Sequence, residues 1–273
     1  MKKALVISLA LLMALTFCAC GSTESEKKQF RVGMECNYAP FNWTQMEESN
    51  DAIAISSGGY AGGYDVEIAK RIADALGMEL VIVKTEWNGL IPALNSGKID
   101  AIIAGMSPTA ERKESVDFSD PYYKSELVIV VQKDGPYASA TSLADFSGAK
   151  ITAQLNTFHY TVIDQIPGVN KQTAMETFPD MIVALKSGKI DGYISERPGA
   201  VSAIAANSEL AYIEFAEGSG FETSDEDVAI SVAVKKGSTD LLNQINDALA
   251  DIDQDTREQL MNDAVANQPV NEE

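Results

Sequence analysis

The chain has 273 residues, is 45% hydrophobic and 22% charged, and carries 21 Lys and Arg against 40 Asp and Glu, a formal net charge of −19. This is the composition of a globular protein with a substantial core, not of a disordered, collagenous or multi-span membrane chain, and so acidic a surface would repel a phosphate backbone, which excludes nucleic acid as a partner. Three cysteines and the single His159 supply neither a disulfide framework nor zinc-ligand spacing, so no metal or cofactor is expected.

Lys2 and Lys3 precede an apolar stretch over residues 4–15 broken only by Ser8, and no further charge occurs until Glu24, the pattern of a secretory signal. A spanning anchor is the rival reading, since residues 4–20 reach the lower edge of the about 17 to 25 residues a membrane helix needs. The stretch ends in Ala19, Cys20, Gly21, Ser22, a small residue directly before a cysteine, which resembles a bacterial lipobox. Cys18 is the poorer candidate because the bulky Phe17 precedes it. Residues 1–19 are therefore read as a lipoprotein signal peptide and Cys20 as the lipidated residue. Residues 20–29 would form a polar tether of roughly 30 Å at about 3.3 Å per extended residue. Two acyl chains suffice to hold the protein to the outer face of the cell membrane.

Residues 30–34 read as a first strand. Residues 58–63 (GGYAGG) lack the Lys and Ser/Thr of a phosphate loop and read as a flexible turn. Residues 65–77 (DVEIAKRIADALG) predict a helix, because Val66, Ala69, Ile72, Ala73 and Leu76 recur at three- and four-residue spacing, with Asp65 as the cap and Gly77 as the stop. Further strands are predicted at 79–84, 99–104, 127–132, 149–153, 190–195 and 229–234. Strands alternating with helical patterns predict an α/β fold with parallel sheets.

Residues 91–105 (IPALNSGKIDAIIAG) and 182–196 (IVALKSGKIDGYISE) share the pattern A-L-x-S-G-K-I-D followed by an apolar strand. In each, a helix stops at Gly97 or Gly188, turns through Lys-Ile-Asp and feeds a strand whose carboxyl end arrives at Gly105 or Glu196. Ligands of open α/β sheets sit outside the carboxyl ends of the strands, so two such units predict two half-sites facing each other across one cleft. A common helix-stop turn explains one occurrence well, but two with matching flanks less well.

Together with residues 87–125 (WNGLIPALNSGKIDAIIAGMSPTAERKESVDFSDPYYKS), GYDVEIAKRIADALG at 63–77 and YAPF at 38–41, this order of motifs resembles bacterial extracellular solute-binding family 3, the amino-acid-binding proteins of ABC importers, over residues 30–265. The resemblance implies a two-lobe, type II periplasmic-binding-protein-like α/β fold with mixed, mostly parallel sheets and two crossing hinge strands. Residues 30–124 plus 231–268 would form lobe 1 and residues 125–230 lobe 2, with 269–273 as a C-terminal tail. It implies a monomeric, extracytoplasmic, lipid-anchored subunit that binds a free amino acid without turning it over and delivers it to a permease and an ATPase. An enzyme of the same fold, such as a cyclohexadienyl dehydratase, and an amino-acid sensor lipoprotein are the alternatives.

A zwitterion that loses its water needs a partner for each charge. Arg112 follows the strand end at Gly105, Met106 and Ser107, and its planar guanidinium can hold a carboxylate through two parallel hydrogen bonds. The resemblance places the family's carboxylate-binding arginine there; the competing reading makes Glu111-Arg112-Lys113-Glu114 a solvated helix face. Gly105, Ser107 and Thr157 could add donors, while Asn156 stands where the family has a glycine. Glu196 aligns with the family's ammonium-binding aspartate, one methylene longer, against the alternative of a surface ion pair with Arg197. Tyr38 and Trp87 correspond to rings that flank the ligand's side chain, Phe158 is a pocket candidate, and Glu35 stands near the side-chain tip. Two carboxylates and two rings favour Lys, Arg, ornithine or Gln. His159, without a nucleophile motif around it, is expected near a helix cap or at the pocket rim.

Overall fold

The computed structural model describes residues 28–269; the signal segment, Cys20 and most of the tether lie outside these, as do residues 270–273. In chain order the strands are β1 (Gln29–Met34), β2 (Asn37–Tyr38), β3 (Asn42–Gln45), β4 (Ile53–Ala54), β5 (Tyr60–Gly62), β6 (Glu79–Lys84), β7 (Ala101–Ile102), β8 (Val116–Lys124), β9 (Leu127–Gln132), β10 (Lys150–Thr152), β11 (Asn170–Lys171), β12 (Gly192–Glu196), β13 (Leu210–Ile213) and β14 (Ala229–Lys235). AISVAVK in β14 and LVIVVQ in β9 are runs of β-branched residues buried without alternation, as strands covered on both faces must be.

Two five-stranded sheets result, in the orders β6-β1-β7-β14-β8 and β11-β10-β12-β9-β13. They follow one plan. In the first, β1 runs parallel to β6 and β7, while β14 is antiparallel to β7 and β8. In the second, β10 runs parallel to β11 and β12, while β9 is antiparallel to β12 and β13. The chain leaves the first sheet after β8 and returns to it at β14. The two crossings are tied where the Ser125 N–H donates to the Val228 carbonyl at 3.0 Å. After the last helix, Gln254–Asn267, the Gln268 amide donates to the Ser202 carbonyl at 3.3 Å and so reaches the helix Arg197–Ala206.

GGYAGG is not simply a flexible turn. Gly58 and Gly59 turn, but Tyr60–Gly62 is strand β5 of a small antiparallel sheet, β2-β3-β5-β4, and it leads through Gly63 straight into the helix Tyr64–Leu76. Strand pairing uses backbone groups, which glycines supply as well as other residues. At Gly62, moreover, a Cβ would come within 3.0 Å of the Trp43 indole that packs there. The cap of that helix is Gly63, not Asp65, whose buried carboxylate turns inward and accepts from Asn42 Nδ2 and the Tyr122 hydroxyl, both at 2.7 Å. The strand expected over 99–104 pairs only at Ala101–Ile102.

The twin motif does the same work in both sheets. Gly97 and Gly188 take the left-handed conformation that ends each helix, with φ of 75° and 72°. The aspartate three residues on then clips the neighbouring strand: the Arg31 N–H donates to Asp100 Oδ2 at 2.9 Å, and the Lys150 N–H to Asp191 Oδ2 at 2.8 Å. The aspartate N–H groups return the bond to the Arg31 and Lys150 carbonyls, each at 2.8 Å. These clips share no partner. Asp100→Ala and Asp191→Ala are therefore each expected to lower the unfolding free energy by about 1 to 2 kcal/mol, and the double variant by their sum within about 0.5 kcal/mol. Urea melts of the four proteins check this; strong coupling between the two sites would contradict it.

Candidate functional site

The two repeats deliver their strand ends to one place. Gly105 and Glu196 line the same cavity, walled on one side by Tyr38, Trp87, Ala104, Ser107 and Arg112, and on the other by Gln154, Thr157, Phe158, His159 and Phe178. The walls stand close, leaving about 10 Å³, room for a water molecule at most. A larger groove of about 580 Å³ shares Tyr38 and Phe178 with this cavity, but Lys186 is the sole charged residue in its lining. It has nothing to neutralise an ammonium, so the smaller cavity is the candidate site.

Arg112 does not lie on a solvated helix face. Thr109 caps the short helix Ala110–Ser115 by accepting from the Arg112 N–H. The guanidinium turns into the cavity, where it donates to the carbonyls of Ser107 at 2.9 Å and Asn156 at 3.1 Å and rests 5.0 Å from the centre of the Trp87 ring. These partners are carbonyls, not carboxylates, so the cationic charge is not cancelled. Burial lowers the guanidinium to about 10, still protonated at neutral pH. Asn156 takes φ 57°, the left-handed region open to Asn as well as Gly, which explains how it can stand where the family has glycine and still present its carbonyl.

Glu196 ends β12 buried, and it is not the surface partner of Arg197, whose exposed guanidinium pairs with Glu214 at 2.6 Å. Its Oε2 accepts from the Tyr38 hydroxyl and its Oε1 lies 3.3 Å from His159 Nε2. His159 is a buried wall residue, not a rim residue, because the short helix Phe158–Val162 points it inward. Burial pushes Glu196 up to about 8 and His159 down to about 3, the latter helped by the Arg112 charge. Glu35 is reached through Gln154, whose Nε2 donates to its two oxygens at 3.1 and 3.2 Å; burial raises it to about 7 against the pull of that bond.

Three expected residues are placed differently, and the first of them, Glu35, lies buried behind Gln154 and does not line the cavity. Met106 turns into the core while its carbonyl accepts from the Ser231 N–H at 3.0 Å, and exposed Asn156 offers the cavity only its backbone. Conversely, Ala104, Gln154, His159 and Phe178 are walls that the sequence reading did not assign. Phe178 was within reach: it holds in the second repeat the position of Trp87 in the first, and Thr177 and Pro179 start the helix that presents it. It stacks on Tyr38 with centroids 4.1 Å apart. No pattern in QLNT marks Gln154. Among the described residues no group of three or more His, Cys, Asp or Glu could hold a metal ion, and no helix is long and apolar enough to cross a membrane.

The sequence profile of the bacterial extracellular solute-binding proteins, family 3, matches residues 30–264. The chain belongs to this family. A probable histidine-binding protein of Campylobacter jejuni is 34% identical over 232 residues, covering 81% of this chain and 85% of its own length. The arginine-binding extracellular protein ArtP of Bacillus subtilis is 30% identical over 262 residues, 93% of each chain. A Streptococcus pneumoniae amino acid ABC transporter substrate-binding protein solved with L-arginine superposes with a TM-score of 0.76 at 28% identity, over 87% of this chain and 94% of that one. The fold of this family 3 protein is that of the type II periplasmic binding proteins, two α/β lobes with mixed sheets.

The buried acids give the ligand-free protein a signed pH dependence. The folded state favours protonated Glu35 and Glu196, so the stability they contribute is complete below their usual 4.5 and is lost as pH rises through about 7 and about 8. His159 is held neutral, so its contribution is complete above 6.5 and is lost only as pH falls towards about 3. Above pH 6.5 the imidazole is silent and Asp65, pushed up by burial to about 6, is mostly ionised, so the two glutamates dominate the slope. Urea stability is expected to fall between pH 6.5 and about 8.5, and to fall less steeply in Glu196→Gln; equal slopes in the two proteins would refute the assignment.

Proposed function

We propose that this chain is the lipid-anchored, extracytoplasmic substrate-binding subunit of an ABC importer, and that it captures a free L-amino acid with a polar or cationic side chain. One observation carries the reading: Arg112 and Glu196 meet the same cavity from opposite lobes, with aromatic rings beside them. The ligand's carboxylate would bind Arg112 through paired charge-assisted hydrogen bonds, with Ser107 beside it; the Gly105 N–H already donates to the Tyr122 hydroxyl and the Thr157 hydroxyl to the Gln154 carbonyl. Its ammonium would bind Glu196. Tyr38, Trp87, Phe158 and Phe178 would enclose the side chain, directing it towards Glu35, an arrangement suited to Lys, Arg, ornithine or Gln. Arginine binding by relatives supports that list.

In this reading the cleft closes because the ligand touches both halves, residues 30–124 with 231–268 and residues 125–230, and so favours the closed state by its differential affinity. The monomeric protein then presents the closed form to a permease and its ATPase, held to the membrane through Cys20. No residue of the cavity is assigned to bond making or breaking, and the amino acid is released unchanged.

A thermal-shift panel of the common amino acids and ornithine tests this. A ligand at one hundred times its Kd adds about 2.7 kcal/mol, and the largest shifts are expected for the four favoured amino acids. Arg112→Ala should abolish the response, and undiminished binding by that variant would reject the site. Glu35→Gln should shift preference from cationic side chains towards Gln while leaving carboxylate capture in place.

A further inference from the structure

His159 is buried, only 5% exposed, and neither ring nitrogen has a hydrogen-bond partner in the protein. Burying unpaired polar atoms is destabilising, yet the fold does so deliberately. The Thr157 hydroxyl donates to the Gln154 carbonyl at 2.7 Å just before the helix Phe158–Val162, and the Phe158 ring lies 4.8 Å from the imidazole. The ring is thereby aimed at Glu196 Oε1, 3.3 Å from Nε2. The extra methylene of Glu196 matters here: a side chain one carbon shorter would end on the order of 1.5 Å further back, one C–C bond length. Three titratable or charged groups share this part of the cavity with the imidazole: Glu196 from β12, Tyr38 from β2, its hydroxyl already donated to Glu196 Oε2, and Arg112 from the helix Ala110–Ser115. Burial, and after it the Arg112 charge, opposes a cation on the ring, so the ring stays neutral, with one nitrogen carrying hydrogen and the other offering a lone pair.

We infer that His159 contacts the ligand, and that its ring and the Glu196 carboxyl form one site for a single positive charge, a shared proton in the unliganded cleft and the ligand's α-ammonium in the loaded one; this rests on the amino-acid reading above. In the first state the Glu196 carboxyl donates its O–H towards the imidazole lone pair. On binding, that proton leaves to solvent and the ammonium takes its place, donating one N–H to Glu196 Oε1 and another to His159 Nε2. The charge held by the pair is the same before and after. The upward push on the Glu196 carboxyl places this exchange in the neutral range. The site therefore needs at least two N–H groups on that nitrogen, since a second methyl would leave a buried acceptor unpaired.

Isothermal titration of the protein with L-arginine, L-lysine, L-ornithine and L-glutamine, at pH 6, 7 and 8 in buffers of different ionisation enthalpy, tests the exchange. Expected for the wild type are release of between about half a proton and one proton per ligand at pH 7, and affinity that rises with pH by up to about tenfold per unit. His159→Leu should bind at least about tenfold more weakly, whereas His159→Gln, whose amide oxygen restores an acceptor, should stay within about threefold. Nα,Nα-dimethyl-L-arginine should be discriminated against by the wild type and much less by His159→Leu. Wild-type binding without proton release, or unchanged affinity and discrimination in a folded His159→Leu, overturns the inference and leaves the amino-acid reading standing. Failure of the wild type to bind any amino acid overturns both.

Discussion

Two opposite charges cannot be stripped of water in one small space unless each has a counter-charge or a set of dipoles waiting for it. In the proposed reading the requirement is divided between lobes. Arg112 belongs to one lobe and Glu196 to the other, and each is kept from finding an easier partner: Arg112 meets only carbonyl oxygens, while Arg197, the nearest cation in sequence to Glu196, is drawn outward by Glu214. Burial then holds the carboxyls of Glu35 and Glu196 above, and the imidazole of His159 below, their ordinary protonation ranges.

The supporting structure behind the site is of a different kind. Under Gly105, the Tyr122 hydroxyl accepts from the glycine N–H at 3.3 Å and donates to Asp65, which Asn42 also engages. Tyr64 completes the set by donating to the Tyr122 carbonyl at 2.9 Å. A buried polar network whose members are bonded to one another fixes a strand end more firmly than apolar packing alone. The wall facing the cleft is thus left with unmet bonding capacity, and the layer behind it is satisfied.

Much of this was legible in the sequence because it follows from local rules. The twin helix-stop, turn and strand units carry their own boundaries in Gly97, Gly188, Asp100 and Asp191, and two copies in one chain imply two facing strand ends. What was not legible depends on long-range geometry. Asp65 looks like a helix cap by type and position, and only the approach of Asn42 and Tyr122 turns it inward. His159 on a five-residue helix has no periodicity to reveal its direction. The pairing of GGYAGG was hidden because glycine gives no strand signal while its backbone pairs freely.

The left-handed turn at Asn156 has a consequence for what may stand there. Its carbonyl accepts from both Arg112 and, at 3.4 Å, Trp87 Nε1, and its amide donates to Asn88 Oδ1 at 2.7 Å, so one residue stitches the halves together. Because two of these three contacts use the peptide carbonyl, the seam survives loss of the Asn156 side chain wherever the left-handed turn is kept, and Gly is the ready substitute.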